Sequence, residues 1–156
     1  MTAPALDWRR ISRHADPADS PGFLLWRVGV EWRRAVEAVL APLGLTHPQF
    51  VVLASIGWLA REGAPPSQAA LGRQVGLDPN TMSQILRGLE RRRLIERRHR
   101  IDERAKQPLL TAAGAALASR ALPAVEAADA AFFAAAGKGQ RRLVAGLARL
   151  LPALAG

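Results

Sequence analysis

The run from Ser67 to Arg92, SQAALGRQVGLDPNTMSQILRGLERR, leaves a chain few ways to fold. Ser67 has the side chain of a helix N-cap, so a short helix over QAALGRQVG is expected after it. Gly76-Leu77-Asp78 then reads as a three-residue turn, with Asp78 as the next N-cap and Pro79 at the first helical position, where its missing N–H costs nothing. From there Met82, Ile85, Leu86 and Leu89 recur at i, i+3, i+4 and i+7, which is the buried stripe of an amphipathic helix. The opposite face carries Asn80, Thr81, Ser83, Gln84, Arg87 and Arg91. A short helix, a tight Gly-containing turn and a second helix with a polar outer face make a helix-turn-helix.

The segment after Arg93 reads as a wing. LIERR (94–98) and QPLL (107–110) are two short strands around a charged loop. Pro108 cannot donate to a ladder, which restricts it to an edge strand, and a two-stranded ribbon consists of edges. In the extended loop, residues two apart point the same way. Asp102 can therefore hold the Arg104 guanidinium by charge-assisted bonds and aim it, while Lys106 flanks it.

The flanking segments are helical. Residues 1–19 are expected to be a flexible arm. Ser20-Pro21 starts a long helix whose apolar stripe includes Phe23, Trp26, Val30, Val36, Val39 and Leu40 and which ends at Pro42 and Gly44. Thr46-His47-Pro48-Gln49 is a capping box for a nearly all-apolar, central helix, HPQFVVLASIGWLARE. Thr111 caps a long Ala-rich helix to about Ala136, which Pro123 is expected to kink. Gly137-Lys138-Gly139 breaks it before a final amphipathic helix, QRRLVAGLARLLPAL. The fold expected is mainly α with a small two-stranded β wing: a winged helix-turn-helix over residues 46–110, joined to a helical region from residues 20–45 and 111–156.

Charge points to the partner. The chain of 156 residues carries a net charge of +9. From Arg87 to Lys106 there are nine basic residues (Arg87, Arg91, Arg92, Arg93, Arg97, Arg98, Arg100, Arg104 and Lys106) against Glu90, Glu96, Asp102 and Glu103, so about half of the excess lies in an eighth of the length. Such a field attracts a polyanion. Asn and Gln side chains match adenine edges in a major groove, Arg matches guanine, and a Thr methyl meets thymine methyl. An aimed Arg at a wing tip suits a narrow minor groove. The starts of the two helices of the motif, with their free amides, are expected to favour phosphate. The candidate DNA-binding residues are Ser67, Gln68, Asn80, Thr81, Ser83, Gln84, Arg87, Arg91, Arg98, Asp102, Arg104 and Lys106.

Other chemistry finds little support. There are no cysteines, which removes disulfides, thiolate metal sites and thiol redox sensing. His14, His47 and His99 are scattered and lack carboxylates at ligand spacing, so no metal site is expected. No nucleophile–base set or Gly-rich phosphate loop is visible, and neither an enzyme nor a cofactor is expected. The N-terminus has no apolar signal-peptide core, and the Ala-rich run is interrupted by Arg120, Glu126 and Asp129, so a cytoplasmic protein without a membrane span is expected.

LTHPQFVVLASI, SQAALGRQVGLDPNTMSQILRGLERRRLIERR and DERAKQPLLTAAG together resemble the MarR (multiple antibiotic resistance regulator) family of winged-helix transcription factors, over about residues 20 to 152. The resemblance implies a homodimer in which the first helix and the last two helices interleave. It also implies double-stranded DNA as partner, with Asp102 and Arg104 in the wing roles. A ligand-responsive repressor on a pseudo-palindromic operator is the function implied. Members commonly sense small aromatic acids or lipophilic drugs, and Trp26, Trp32, His47, Phe50 and Trp58 are the side chains available for such an effector. Two positions depart from the pattern. Arg93 stands where many members have Gly, and the wing between Arg98 and Asp102 is about one residue short. Two other readings stay open: a low-specificity architectural DNA-binding protein, and a winged-helix protein-interaction module.

Overall fold

The computed structural model describes residues 5–99 and 106–151. The chain divides into two compact units, Met1–Arg34 and Ala35–Gly156. In the first, the segment expected to be a flexible arm contains a four-residue helix, α1 (Trp8–Ile11), and a 3-10 turn at Pro17–Asp19. The long helix α2 (Pro21–Leu40) begins in this unit, with the Phe23 amide donating to Ser20 Oγ. Its predicted apolar stripe is buried only at the far end, at Val36 and Leu40. Phe23 and Trp26 are exposed.

The second unit is built around α3 (His47–Ala60), which packs against α4 (Gln68–Val75), α5 (Pro79–Arg91), α6 (Ala112–Phe133) and a two-stranded sheet. The capping box is formed as expected: Thr46 Oγ1 accepts from the Gln49 amide at 3.3 Å, and Gln49 Oε1 accepts from the Thr46 amide at 3.2 Å. Phe50, Val52, Leu53 and Ile56 of α3 are buried. With Leu71 of α4 and Met82, Leu86 and Leu89 of α5 they make the core. Ile85, counted in the α5 stripe from its spacing, is half-buried at the stripe's edge. Gly76 closes α4 with φ 72°, a left-handed value that glycine adopts without a Cβ clash.

Strands β1 (Ile95–His99) and β2 (Lys106–Leu110) pair antiparallel, with Ile95 opposite Leu110 and Arg97 opposite Pro108. β1 lies one residue later than the predicted span, starting at Ile95 instead of Leu94, and β2 starts one residue earlier, at Lys106. Pro108 is fully buried, in the two-edged ribbon its chemistry requires.

Arg93 joins α5 to β1 with φ 57°, the one non-glycine residue of positive φ among the described residues. The Leu94 amide returns to the Leu89 carbonyl at 3.0 Å, closing the helix end. So the left-handed geometry that glycine usually supplies is retained here by arginine.

Helix α6 starts on Thr111, whose hydroxyl accepts from the Gly114 amide at 3.0 Å. Pro123 lies inside α6, and the helix continues past it to Phe133. The break comes at Gly137 (φ 51°, ψ −132°), within a 3-10 segment, Ala134–Gly139. Helix α7 (Gln140–Leu150) then presents Leu143, Val144, Leu147 and Leu150 on one exposed face. No single helix is long and apolar enough to cross a membrane among the described residues.

Candidate nucleic-acid interface

Helix α5 is held from three sides, and each attachment uses polar residues whose spacing alone would place them on the surface. At its start, Asp78 Oδ1 accepts from the amides of Asn80 and Thr81, both at 3.0 Å, and Thr81 Oγ1 donates to Asp78 Oδ2 at 2.6 Å. The Thr81 hydroxyl, then the Thr81 amide, hold the Asp78 carboxyl below its ordinary value, against an opposing desolvation. This corrects one expectation. The first-turn amides of α5 are not open to phosphate, because the chain's own carboxylate occupies two of them and supplies the negative charge the helix dipole favours. In α4, Ser67 Oγ likewise accepts from the Ala70 amide at 3.1 Å.

On the flank facing α4, Gln68 Nε2 donates to Ser83 Oγ at 2.9 Å, in a partly buried contact. The structure thus brings two of the predicted DNA-binding side chains together and joins them to each other. Ser67 and Thr81 are similarly committed to caps. Ser67 and Thr81 close the starts of their own helices, and the Gln68–Ser83 bond braces α4 against α5.

At its far end, α5 is fastened twice. Arg92 Nη1 donates to Gln49 Oε1 at 3.2 Å, reaching the cap of α3. Glu90 Oε2 accepts from Arg97 Nε at 2.9 Å and also from Arg97 Nη2, which ties β1 to the helix. The Arg97 side chain is only 16% exposed. None of Gln49, Glu90, Arg92 and Arg97 is among the candidates from sequence. Their pairing depends on how the chain doubles back, and no local spacing announces it.

What remains outward is a single column. Asn80, Gln84, Arg87 and Arg91 are exposed along α5 at helical spacing. Arg87 and Arg91 make no ion pair among the described residues. Two amides and two guanidinium groups in one row offer donors in pairs, with amide oxygens as acceptors between them, which is the pattern that reads base edges. Of the predicted wing residues, Arg98 lies on β1 and Lys106 begins β2. Asp102 and Arg104 fall outside the described residues.

The aromatic set does not form one cluster on α3. His47 and Phe50 occupy its first turn and Trp58 its last, about 16 Å from His47 and about 12 Å from Phe50 at the rise of an α-helix. Phe50 is buried in the core. Trp58 is 58% exposed, with the Arg61 guanidinium carbon 3.8 Å from its ring centroid, a cation–π contact. Trp26, on α2 in the other unit, is exposed, and Trp32 is half-buried. Among the described residues no group of three or more His, Cys, Asp or Glu side chains could hold a metal ion.

The MarR family model matches residues 45–106, from the loop before the α3 cap to the second wing strand. The chain is 37% identical over 147 residues to an HTH-type transcriptional regulator, YdcH of Bacillus subtilis, covering 94% of this chain and 98% of that one. It is 41% identical over 114 residues to the HTH-type transcriptional repressor Rv2887 of Mycobacterium tuberculosis, covering 72% and 79%. Rv2887 has been solved in complex with DNA (TM-score 0.61, 36% identity, 85% of this chain and 97% of that chain). It has also been solved with salicylic acid (TM-score 0.61, 37% identity, 85% and 96%). A MarR family regulator from Rhodococcus sp. RHA1 superposes with a TM-score of 0.73 at 30% identity over 90% of this chain and 98% of that one. With its helix-turn-helix, its wing and its likeness to these regulators over nearly its whole length, the chain belongs to the MarR family of winged-helix transcriptional regulators.

Proposed function

We propose that the chain is a transcriptional repressor that binds a pseudo-palindromic duplex as a homodimer and releases it when a small aromatic or lipophilic effector binds. The observation that carries this reading is the column Asn80, Gln84, Arg87 and Arg91, left outward on a helix whose other polar groups are satisfied internally. A helix with unpaired readers on one face suits the major groove, and Arg98 and Lys106 are proposed to meet the backbone. Asp102 and Arg104 are proposed to act at the wing tip in the minor groove.

The dimer rests on residues 20–45 and 111–156. Helix α7 exposes 38% of Leu143, 61% of Val144, 38% of Leu147 and 70% of Leu150, and an apolar face of that kind on a short terminal helix calls for a partner. The repressor Rv2887, solved with DNA and with salicylic acid, supports both the target and the effector class. Trp26, Trp32, His47, Phe50 and Trp58 are the side chains proposed to meet the effector. Residues 1–19 are an arm outside both regions. The reading gives the chain no catalytic step and places it in the cytoplasm with its DNA.

Selection of bound duplexes from a random pool tests this. The expected product is an inverted repeat whose half-site centres lie about 34 Å, one helical turn, apart. A pool without enriched sequence would leave non-specific binding alone.

A further inference from the structure

Glu90 and Arg97 join the two elements that the proposed function sends into DNA. Glu90 is in the last turn of α5, and Arg97 is in the middle of β1, between the buried Ile95 and the strand's outer end. Both Nε and Nη2 of the guanidinium converge on one carboxylate oxygen. A forked contact of this kind fixes direction as well as distance. The Arg97 side chain is withdrawn from solvent, so the pair is screened less than the exposed Arg34–Glu31 pair on α2. Across the ribbon Arg97 faces Pro108, which has no N–H to give.

We infer that the Glu90–Arg97 pair is a positioning device for DNA recognition: it sets the angle of the wing against the recognition helix, so that the wing follows the duplex while Gln84 and Arg87 meet the bases. This rests on the reading of α5 and the wing as the DNA-binding surface. Neither residue needs to touch DNA. Glu90 is an anion within a cationic surface, and its presence lowers the field that draws DNA in. Its removal should therefore strengthen binding if charge alone mattered. A positioning role gives the opposite sign.

The experiment measures affinity for the selected duplex and for random duplex, per folded protein, in Glu90→Gln, Arg97→Lys, and the exchanged double variant Glu90→Arg/Arg97→Glu. Glu90→Gln is expected to weaken binding to the selected duplex about tenfold, the scale of one lost base or backbone contact, while random duplex is bound as well or better. Arg97→Lys keeps the charge but loses the fork, and is expected to weaken specific binding in the same direction. The exchanged variant is expected to recover most of the loss. Glu90→Gln binding the selected duplex as tightly as the wild type, or more tightly, would overturn the inference, as would an exchanged variant no better than the single ones. A wild-type chain with no preference for any duplex would instead remove the reading on which it rests.

Discussion

The Thr111 hydroxyl donates to the Arg93 carbonyl at 2.8 Å, and the backbone amide of Thr111 donates to the Leu94 carbonyl at 3.1 Å. The same hydroxyl oxygen caps α6. One threonine therefore holds the exit from the recognition helix, the start of the wing and the start of the helix that leads into the proposed dimerisation region. Arg93 sits in that grip with its left-handed backbone.

Glycine adopts this backbone freely, whereas for an L-residue it costs about 1–2 kcal/mol. Part of that difference returns as the greater entropy of glycine in the unfolded chain, about 0.4–1 kcal/mol. Arg93→Gly is thus expected to raise stability by about 0.5–1 kcal/mol, or roughly 1–4 °C in thermal midpoint for a domain of this size. Thermal unfolding followed by circular dichroism checks it. A lower midpoint would mean that the Arg93 side chain contributes more than its backbone costs.

Gly114 carries the reverse expectation. A Cβ built there would lie 1.9 Å from the Leu94 carbonyl oxygen and 2.9 Å from its carbon, both backbone atoms. Alanine favours a helix interior over glycine by about 1 kcal/mol, but overpacking against a rigid neighbour typically costs about 1–3 kcal/mol and sometimes more. The clash should prevail. With the cost at the upper end of that range, Gly114→Ala is expected to destabilise the chain by about 2 kcal/mol in a denaturant titration, by pushing Thr111 away from the wing.

These two positions also mark how far the sequence can be read. The box of Thr46 and Gln49 and the caps Ser67, Asp78 and Thr111 are local devices, written within a few residues of the backbone they serve. Each is legible in the sequence. The bonds from Arg92 to Gln49, Arg97 to Glu90 and Gln68 to Ser83 are not, because they join residues that only the folded chain makes neighbours. Ser67, Gln68, Thr81 and Ser83 have the chemistry to meet DNA, yet in the folded chain they serve the motif itself. Asp78 is a milder case. Its capping role is plain from the sequence, but only the folded geometry shows that its carboxylate closes the helix start to phosphate.

Asp78 also sets a pH dependence. Its carboxyl is held below the ordinary value of 3.8 in the folded chain, mainly by the Thr81 hydroxyl. A depressed folded pKa means stability that is fully present above the unfolded value and is lost as pH falls through the folded one. Unfolding measured between about pH 7 and pH 2 should show the wild type losing an advantage over Asp78→Asn only below about pH 4. A difference that fades already near neutrality would assign it to another group.

For DNA, Arg87 offers the cleanest single change, since it is exposed on α5 and unpaired among the described residues. Arg87→Ala is expected to weaken binding to the selected duplex by about 1–3 kcal/mol and to relax preference at one base pair, with the thermal midpoint unmoved. Arg104→Ala is expected to cost a similar amount through the minor groove. Equilibrium binding by fluorescence anisotropy reads both.

Two copies of this chain are proposed to read base sequence with the column Asn80, Gln84, Arg87 and Arg91. The most direct measurement of this is competition between the selected duplex and random DNA, at several salt concentrations, with the mass of the complex determined alongside. The expected result is a preference of about 10³ or more, a steep fall in affinity with rising salt, and two chains per duplex. A single chain per duplex, or equal affinity for both DNAs, would contradict it.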